Sequence, residues 1–239
     1  MRQKPIIRWA GLVRGIVRRG PHVNVSGLIL LLALLTTFSP ASAIAKPLRI
    51  LALGTSLTQG YNLPPGTEFT AVLEARLKKA GFDVTVVNAG VSGDTSADGL
   101  ARLDWALAEP ADAAIVEFGS NDALRGLAVA QTQANVDAVV TKLKAKGLAV
   151  LLAGMKAPRN LGGDYTASFD AIYPALAKKH GVLLYPFFLD GVAADLKLNQ
   201  ADGIHPNEAG TQIIVTRMLP YVEKLIARVK AKPTAAAVN

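Results

Sequence analysis

Two polar segments, far apart in the chain, carry residue types that hydrolytic enzymes use. In the segment 202–206 (Asp-Gly-Ile-His-Pro), Asp202 lies three residues before His205. A carboxylate this close can fix the tautomer of an imidazole and stabilise its protonated form. Ser56 follows an apolar run much earlier in the chain. We therefore expect Ser56 to act as a nucleophile, His205 as its general base and Asp202 as the residue that orients the base.

The other histidines have simpler interpretations. His22 lies in the N-terminal leader, and His180 lies near the end of a predicted helix, where the helix dipole favours an imidazolium without any further function. A metal site built from Asp202, His205 and Glu208 is a competing interpretation. It would have a single histidine and no pattern of supporting ligands, so we do not favour it.

Acyl transfer also requires hydrogen-bond donors for the negative charge that develops on the substrate carbonyl oxygen. Gly93 lies in a glycine-containing loop at 90–94, and it has no side chain that would cover its backbone N–H. Asn121 follows an apolar run and offers an amide NH₂ group. Ser56 offers its own backbone N–H at the start of a predicted helix. Ser56, Gly93 and Asn121 are therefore the predicted oxyanion hole.

Short apolar runs alternate with longer amphipathic ones from about residue 48, which predicts alternating strands and helices. Strands are predicted at 48–53, 84–87, 113–116, 148–153 and 182–185, and helices at 67–80, 96–107, 129–146, 168–180 and 207–230. The strands are apolar throughout, which is typical of parallel strands buried on both faces. We therefore predict an α/β protein with three layers (α/β/α) around a central five-stranded parallel sheet.

The candidate residues all follow the ends of predicted strands. Ser56 follows the first strand, Gly93 the second, Asn121 the third, and Asp202 and His205 the fifth. The carboxyl ends of parallel strands meet at one edge of the sheet, where ligands bind in such folds. The five residues are therefore expected to form one site.

Residues that follow the third and fourth strands are expected to contact the substrate at the same edge. These predicted substrate-binding residues are Leu124, Met155, Pro158 and Asn160. The loops 124–130 and 161–164 combine apolar residues with glycine, which favours a shallow, adaptable cleft for an acyl or aryl group.

The charge of the chain is concentrated at its N-terminus. The net charge is +8, but residues 1–45 hold six basic residues and no acidic ones, so 20 basic and 18 acidic residues remain. This balance does not favour a nucleic-acid partner. The chain has no cysteine, which excludes disulfides and cysteine nucleophiles. We expect a monomeric protein with a small-molecule substrate.

The N-terminal segment has the layout of a cleaved secretory signal. A basic stretch precedes an apolar run at 27–35, and small residues follow at Ala41, Ala43 and Ala45. We predict a signal peptide over residues 1–45 with cleavage after Ala43 or Ala45, and a periplasmic or secreted protein. An uncleaved membrane anchor is the alternative, although the run is shorter than the roughly 20 residues that a span requires. Residues 46–230 form the predicted catalytic domain, and 231–239 a disordered tail.

Several segments, in order, resemble the SGNH (GDSL) hydrolase family, and in particular its thioesterase I, lysophospholipase L1 and arylesterase branch. The resemblance covers nearly all of residues 48–228. It is carried by the segments 54–57 (Gly-Thr-Ser-Leu), 88–96 (Asn-Ala-Gly-Val-Ser-Gly-Asp-Thr-Ser), 117–122 (Glu-Phe-Gly-Ser-Asn-Asp), 124–126 (Leu-Arg-Gly), 172–174 (Ile-Tyr-Pro) and 202–207 (Asp-Gly-Ile-His-Pro-Asn).

The resemblance implies a flavodoxin-like fold and an esterase without a metal or organic cofactor. It gives the triad and oxyanion roles to the residues already singled out, and it implies acyl or aryl esters and lysophospholipids as substrates. The family usually has Asp where this chain has Thr55, a departure that affects the electrostatics of the nucleophile loop. A carbohydrate O-deacetylase and a catalytically impaired ester-binding protein are the alternative functions.

Overall fold

The structure, a computed structural model, describes residues 46–231. The predicted signal peptide (1–45) and residues 232–239 of the predicted tail lie outside the described residues. Five parallel strands form one sheet in the spatial order β2-β1-β3-β4-β5. The strands are β1 (Leu48–Gly54), β2 (Val84–Gly90), β3 (Ala113–Glu117), β4 (Ala149–Ala153) and β5 (Leu183–Tyr185).

Helices connect the strands and cover both faces of the sheet. They are α1 (Ser56–Gln59), α2 (Phe69–Lys79), α3 (Ser96–Ala101), α4 (Leu103–Ala106), α5 (Ser120–Leu124), α6 (Val129–Ala145), α7 (Gly163–Asp170), α8 (Ile172–His180) and α9 (Glu208–Lys230), with a 3₁₀ turn at Arg159–Leu161. α2 packs against α9, and α6 packs against α3, α7 and α8, which gives two helical layers. None of these described helices is both long enough and apolar enough to cross a membrane.

The predicted fold class is confirmed. β3 and β4 are buried along their whole length, as expected for parallel strands covered on both faces. The predicted apolar face of α2 is also buried, because Phe69, Val72, Leu73 and Leu77 all pack into the core. The strand order is that of the flavodoxin-like doubly wound sheet.

Two predicted helices differ from those observed. The helix predicted at 96–107 is interrupted at Arg102, which ends α3 and precedes α4. Its guanidinium group donates to Asp94 and to the carbonyl O of Gly54, so Arg102 bonds to the end of the sheet. The helix predicted at 168–180 consists of α7 and α8, and α7 begins at Gly163 in a segment that was predicted to be a loop.

The register of β1 with its two neighbours determines what surrounds the turn that follows it. Gly54, the last residue of β1, pairs with Gly90 of β2 and with Glu117 of β3. The carbonyl O of Gly54 also accepts the N–H of Val91 at 3.1 Å. Residues after β1, β2 and β3 are thereby held at the same edge of the sheet, as the sequence predicted.

Replacing Gly90 with alanine is expected to disturb this edge. A Cβ at position 90 would collide with the backbone N of Gln59 and the carbonyl O of Thr55, neither of which can rotate away. We expect Gly90→Ala to lower the free energy of unfolding by about 1–3 kcal/mol in urea titrations, the usual cost of overpacking. Gly163→Ala is the matched control, because a Cβ there meets nothing within 4 Å. Equal stability of the two variants would contradict the close packing at Gly90.

Candidate active site

Ser56 lies where β1 turns into α1. Thr55 caps this short helix: it has an extended backbone, and its hydroxyl accepts the N–H of Leu57 at 3.4 Å. Ser56 is the first helical residue, and the N–H groups of a first helical turn have no partner within the helix. The Ser56 side chain is largely buried, but it lines the principal cavity of the site.

His205 reaches Ser56 from the opposite end of the sequence. Its Nε2 lies 2.9 Å from the Oγ of Ser56, across a separation of 149 residues. Its Nδ1 lies 2.7 Å from Oδ2 of Asp202. The structure thus joins Ser56, His205 and Asp202 in one chain of hydrogen bonds, which is the arrangement of a nucleophile, a base and an orienting carboxylate.

Asp202 also organises the turn that carries His205. Its Oδ1 accepts the backbone N–H groups of Ile204 and His205, both at 3.0 Å, as aspartate does in tight turns. Gly203 between them has a φ of +75°, which is unfavourable for residues with a side chain. The short spacing between Asp202 and His205 therefore reflects a local turn that fixes the imidazole relative to its carboxylate.

Hydrogen bonding keeps Asp202 ionised. Partial burial raises the pKa of its carboxyl, but the imidazole of His205 and the N–H groups of His205 and Ile204 outweigh that effect and lower the pKa from 3.8 to about 2. Asp202 is therefore a carboxylate throughout the neutral range, and its negative charge lies next to Nδ1 of His205. Such a charge stabilises an imidazolium when His205 accepts a proton.

Tyr61 and the segment before His205 hold the histidine in place. The rings of Tyr61 and His205 have centroids 4.7 Å apart. Gln200 donates to the carbonyl O of Tyr61 at 2.8 Å, and its backbone N–H donates to the carbonyl O of His205 at 2.7 Å. The sequence offered no specific signal for Tyr61, because a tyrosine after a short helix has many structural uses.

Hydrogen bonds tie the loop that carries Gly93 to α5, which carries Asn121. The Nδ2 of Asn121 donates to the carbonyl O of Asp94 at 2.8 Å, and Arg125 donates to the carbonyl O of Gly93 at 2.7 Å. Gly93 has a φ of +86°, so its backbone conformation favours glycine. Asn121 lines the cavity beside Ser56, whereas Gly93 is outside the set of lining residues.

A buried carboxylate anchors the helix that carries Asn121. Asp122 accepts hydrogen bonds from the N–H and the hydroxyl of Ser96, at 2.8 and 2.5 Å, and from the hydroxyl of Thr132 at 3.2 Å. These contacts tie α5 to the start of α3 and to α6. Sequence reasoning assigned no role to Asp122, since a carboxylate beside Asn121 resembles an ordinary turn residue.

A cavity of about 420 Å³ opens beside Ser56, Asn121 and His205. Leu124, Met155 and Pro158, three of the predicted substrate-binding residues, line it. The rest of its lining is mostly apolar or small and comes from α1, α5 and the segments after β4 and β5: Leu57, Ser120, Lys156, Ala157, Arg159, Phe187, Leu189, Ala193, Ala194, Asn199, Gly203 and Ile204. Its volume suits a small organic ligand.

Asn160 is a predicted substrate-binding residue that the structure does not bring to the cavity. It lies in the 3₁₀ turn at Arg159–Leu161, is exposed, and is outside the set of residues that line the cavity. A tight turn exposes successive residues in different directions, and here it is Arg159 that borders the cavity while donating to Asp170. The loop predicted at 161–164 also lies outside the lining, because α7 begins within it and the segment after β5 forms that wall instead.

Glu117 is a further residue that sequence reasoning left without a role. It is the last residue of β3, and its side chain is fully buried. Its carboxylate accepts hydrogen bonds from Thr55 and Thr58, which lie on either side of Ser56. A carboxylate at the end of an otherwise apolar strand is the signal that could have identified it.

Comparisons with known proteins agree with this geometry. The GDSL-like Lipase/Acylhydrolase family model matches residues 52–213. Esterase TesA of Pseudomonas aeruginosa is 42% identical over 178 residues, which are 74% of this chain and 89% of that protein. Thioesterase 1/protease 1/lysophospholipase L1 of Escherichia coli K12 is 36% identical over 197 residues, 82% of this chain and 91% of that protein.

Solved structures are similar as well. The crystal structure of AlinE4, described as an SGNH-hydrolase family esterase, has a TM-score of 0.65 and 41% identity, and the match covers 76% of this chain and 98% of that one. The crystal structure of TesA has a TM-score of 0.71 and 40% identity, with 74% and 99% covered. The family match spans more than half of the chain and includes Ser56, Asp202 and His205. This chain belongs to the GDSL-like lipase/acylhydrolase family of ester hydrolases.

Proposed function

We propose that this protein is an exported serine esterase that cleaves acyl and aryl carboxylic esters through an acyl-enzyme. The observation that carries the proposal is the hydrogen-bonded chain from Ser56 through His205 to Asp202, with distances of 2.9 and 2.7 Å. Both ring nitrogens of His205 are used in this chain, which supports a base rather than a metal ligand. The neighbouring cavity would receive the ester.

The first half of the reaction acylates Ser56. Nε2 of His205 takes the hydroxyl proton as Oγ of Ser56 attacks the carbonyl carbon, and the ionised Asp202 stabilises the resulting imidazolium. The N–H groups of Ser56 and Gly93 and the amide of Asn121 are the proposed donors to the oxyanion. The tetrahedral intermediate then collapses, and Nε2 of His205 gives the proton to the leaving alcohol or phenol.

The second half restores the enzyme. Water enters beside His205, which removes one of its protons while the oxygen attacks the carbonyl carbon of the acyl-Ser56 ester. The second tetrahedral intermediate collapses, the acid is released, and His205 returns the proton to Oγ of Ser56. Each half uses the same two hydrogen bonds, so one fixed geometry serves both steps.

The size and lining of the cavity favour substrates with small to medium acyl or aryl groups, including lysophospholipids. Leu124, Met155, Phe187 and Ile204 give it a largely apolar wall. Leu124 and Ile204 are about half exposed, which leaves the cleft open to solvent at its mouth. The relatives named esterase and lysophospholipase support the same range of substrates for this chain.

Export is proposed on the sequence alone. The basic stretch, the apolar run at 27–35 and the small residues at 41–45 together fit a signal peptide. The protein would then act in the periplasm or outside the cell, where lysophospholipids and other esters are more accessible to it than acyl-CoA thioesters. The mature N-terminus of the protein recovered from its native host would test this part, with Ile44 or Lys46 expected.

Ser56→Ala is expected to abolish ester turnover without unfolding the protein. Loss of a triad serine costs up to about 10⁶-fold in kcat, because no other group supplies the nucleophile. The measurement is hydrolysis of a p-nitrophenyl acyl series from acetate upward, with circular dichroism to check the fold. Ser168→Ala, at an exposed serine of α7, is the matched control and is expected to retain full activity.

Three outcomes would contradict this assignment in different ways. Full activity of Ser56→Ala would exclude Ser56 as the nucleophile. Turnover of acetylated carbohydrate in preference to every acyl or aryl ester would favour a carbohydrate O-deacetylase. Binding of esters by the wild-type protein without any hydrolysis would indicate a catalytically impaired binding protein.

Asp202→Asn is expected to lower kcat by roughly 10⁴-fold and to lower stability modestly at neutral pH, because the fold favours the ionised form of Asp202. The amide keeps an acceptor for the backbone turn but would place an N–H donor opposite Nδ1 of His205, which favours the wrong tautomer. Steady-state kinetics on the best p-nitrophenyl ester measures the effect. Asp195→Asn should retain activity, because Asp195 lies in the same segment but is exposed, and its carboxylate accepts the local N–H of Lys197. A comparable loss in both variants would mean that charge in the segment matters, rather than orientation of His205.

A further inference from the structure

Glu117 lies directly beneath the turn that carries Ser56. Its side chain is 0% exposed, and its carboxylate is in hydrogen-bond contact with three donors. Oε2 accepts the backbone N–H of Thr55 at 2.9 Å and the hydroxyl of Thr58 at 2.9 Å. The hydroxyl of Thr55 lies 3.1 Å from Oε2 and 3.2 Å from Oε1.

These donors flank Ser56 on both sides. Thr55 is the residue before it, and Thr58 is two residues after it, so the carboxylate bonds to both ends of the first turn of α1. Gly54 makes this approach feasible, because a Cβ there would lie 2.6 Å from Oε2 of Glu117 and would collide with Oγ1 of Thr58. The register of β1 with β3, which pairs Gly54 with Glu117, sets this geometry.

The partners of the Glu117 carboxylate are uncharged hydrogen-bond donors rather than a cation. No lysine or arginine pairs with Glu117 among the residues that the structure describes. An ionised carboxylate can accept all three hydrogen bonds at once, whereas a protonated carboxyl has to donate one. Protonation would therefore force at least one of the threonine hydroxyls to turn away from its present partner.

We propose that Glu117 is a positioning residue for ester hydrolysis. Its ionised carboxylate holds the Thr55–Thr58 turn so that Oγ of Ser56 stays within hydrogen-bond distance of Nε2 of His205, and protonation of Glu117 weakens these contacts. This inference rests on the proposed function, because it concerns the same nucleophile. Glu117 touches neither the substrate nor the reacting atoms. It acts through the two threonines.

The position of Glu117 allows it to titrate in the working range of the enzyme. Burial raises the pKa of its carboxyl from 4.5 to about 7, although the hydrogen bonds from Thr55 and Thr58 oppose this effect. Protonation of Glu117 would then occur under mildly acidic conditions.

The other ionisable groups around this turn come from four elements. Arg102, between α3 and α4, donates to the carbonyl O of Gly54 and pairs with Asp94 of the loop after β2. Asp122 of α5 is occupied by Ser96 and Thr132. Burial, with the charges of Asp122 and Glu117, raises the pKa of Tyr173 of α8 well above 10, so its phenol stays neutral. None of these groups offers Glu117 a counter-charge contact.

The test is the pH dependence of kcat and KM for a p-nitrophenyl acyl ester. For the wild-type protein, log kcat should fall below about pH 7, because Glu117 has to lose a proton before its carboxylate can hold the turn. Glu117→Gln should reduce kcat about 10- to 100-fold at pH 8, leave KM within about twofold, and reduce the slope of the acid limb by about 1. The KM result separates positioning of the nucleophile from binding of the ester.

Thr58→Val keeps the test decisive if Glu117→Gln folds poorly. Valine preserves the shape of threonine but removes one donor to the carboxylate, which raises the pKa of Glu117 further. The acid limb of kcat should therefore move to higher pH by about 0.5–1 unit. The plateau above pH 8 should also fall, but by less than in Glu117→Gln, because the two donors of Thr55 still hold the turn. A purely structural role for Thr58 would lower the plateau without moving the limb.

Glu74→Gln is the matched control variant. Glu74 of α2 is also partly buried and accepts a backbone N–H, that of Val86 at 2.7 Å, but it contacts neither α1 nor the cavity. Its pKa is lowered: burial raises it, but hydrogen bonds from Lys78 and Val86 and the charge of Lys78 outweigh that effect. Its replacement should change neither the slope nor the position of the acid limb.

Thermal stability gives a readout that is independent of turnover. The folded protein holds a proton on Glu117 up to about pH 7, whereas the unfolded chain releases it near 4.5, so stability should fall as pH rises between those values. Glu117→Gln should remove this part of the pH dependence of Tm, and Glu74→Gln should not. An unchanged dependence in Glu117→Gln would overturn the titration of Glu117.

The outcomes separate this inference from the function on which it rests. Wild-type turnover that depends on Ser56, together with an acid limb that neither Glu117→Gln nor Thr58→Val changes, would overturn the role of Glu117 and leave the esterase intact. An increase in kcat as Glu117 becomes protonated would overturn it as well. A wild-type protein with no ester turnover, or a fully active Ser56→Ala variant, would overturn both.

Discussion

The in-register pairing of β1 with both of its neighbours is the constraint on which the site depends. It brings Gly54 level with Gly90 on one side and with Glu117 on the other, so the turn after β1 is enclosed by a glycine and a buried carboxylate. Gly90 leaves space for the backbone of Thr55 and Gln59, and Gly54 leaves space for the side chains of Thr58 and Glu117. The Glu117 carboxylate accepts hydrogen bonds from Thr55 and Thr58. A slip of one residue would exchange the faces of every side chain in β1 and remove this environment.

The triad adds one long-range contact to this local framework. Asp202, Gly203 and His205 form a turn that is nearly complete by itself, since Asp202 accepts the N–H groups of that turn. What the fold has to supply is its placement against Ser56. Two interactions fix the segment at the edge of the sheet. One is the β-bridge between Asn199 and Pro206, and the other is the hydrogen bond from the side chain of Gln200 to the carbonyl O of Tyr61. A preformed turn on a fixed edge loses little conformational entropy when the ester binds.

Much of the fold was accessible from the sequence, because hydrophobic periodicity records burial directly. The five strands and their parallel arrangement follow from it. The shared edge of Ser56, Asn121 and His205 follows from their positions after the ends of those strands. The sequence analysis missed the interruption of the helix at Arg102 and the part of the cavity wall that comes from the segment after β5. Each depends on contacts between distant parts of the chain. Asn160 was predicted to bind the substrate because it follows β4. The position of a residue after a strand does not determine the direction of its side chain in a 3₁₀ turn.

Thr55 is a neutral residue that both caps α1 and donates to Glu117. The family usually has an aspartate here, and an aspartate at this position would place a second carboxylate within contact of Glu117, so the two would share a proton or repel each other. Threonine instead donates to Glu117 and still caps α1 through the same oxygen. The buried turn then needs to accommodate only one negative charge, and that charge belongs to a residue on the strand rather than to the nucleophile loop. Because a strand is more rigid than a loop, the acceptor that holds Ser56 is fixed by the core of the sheet.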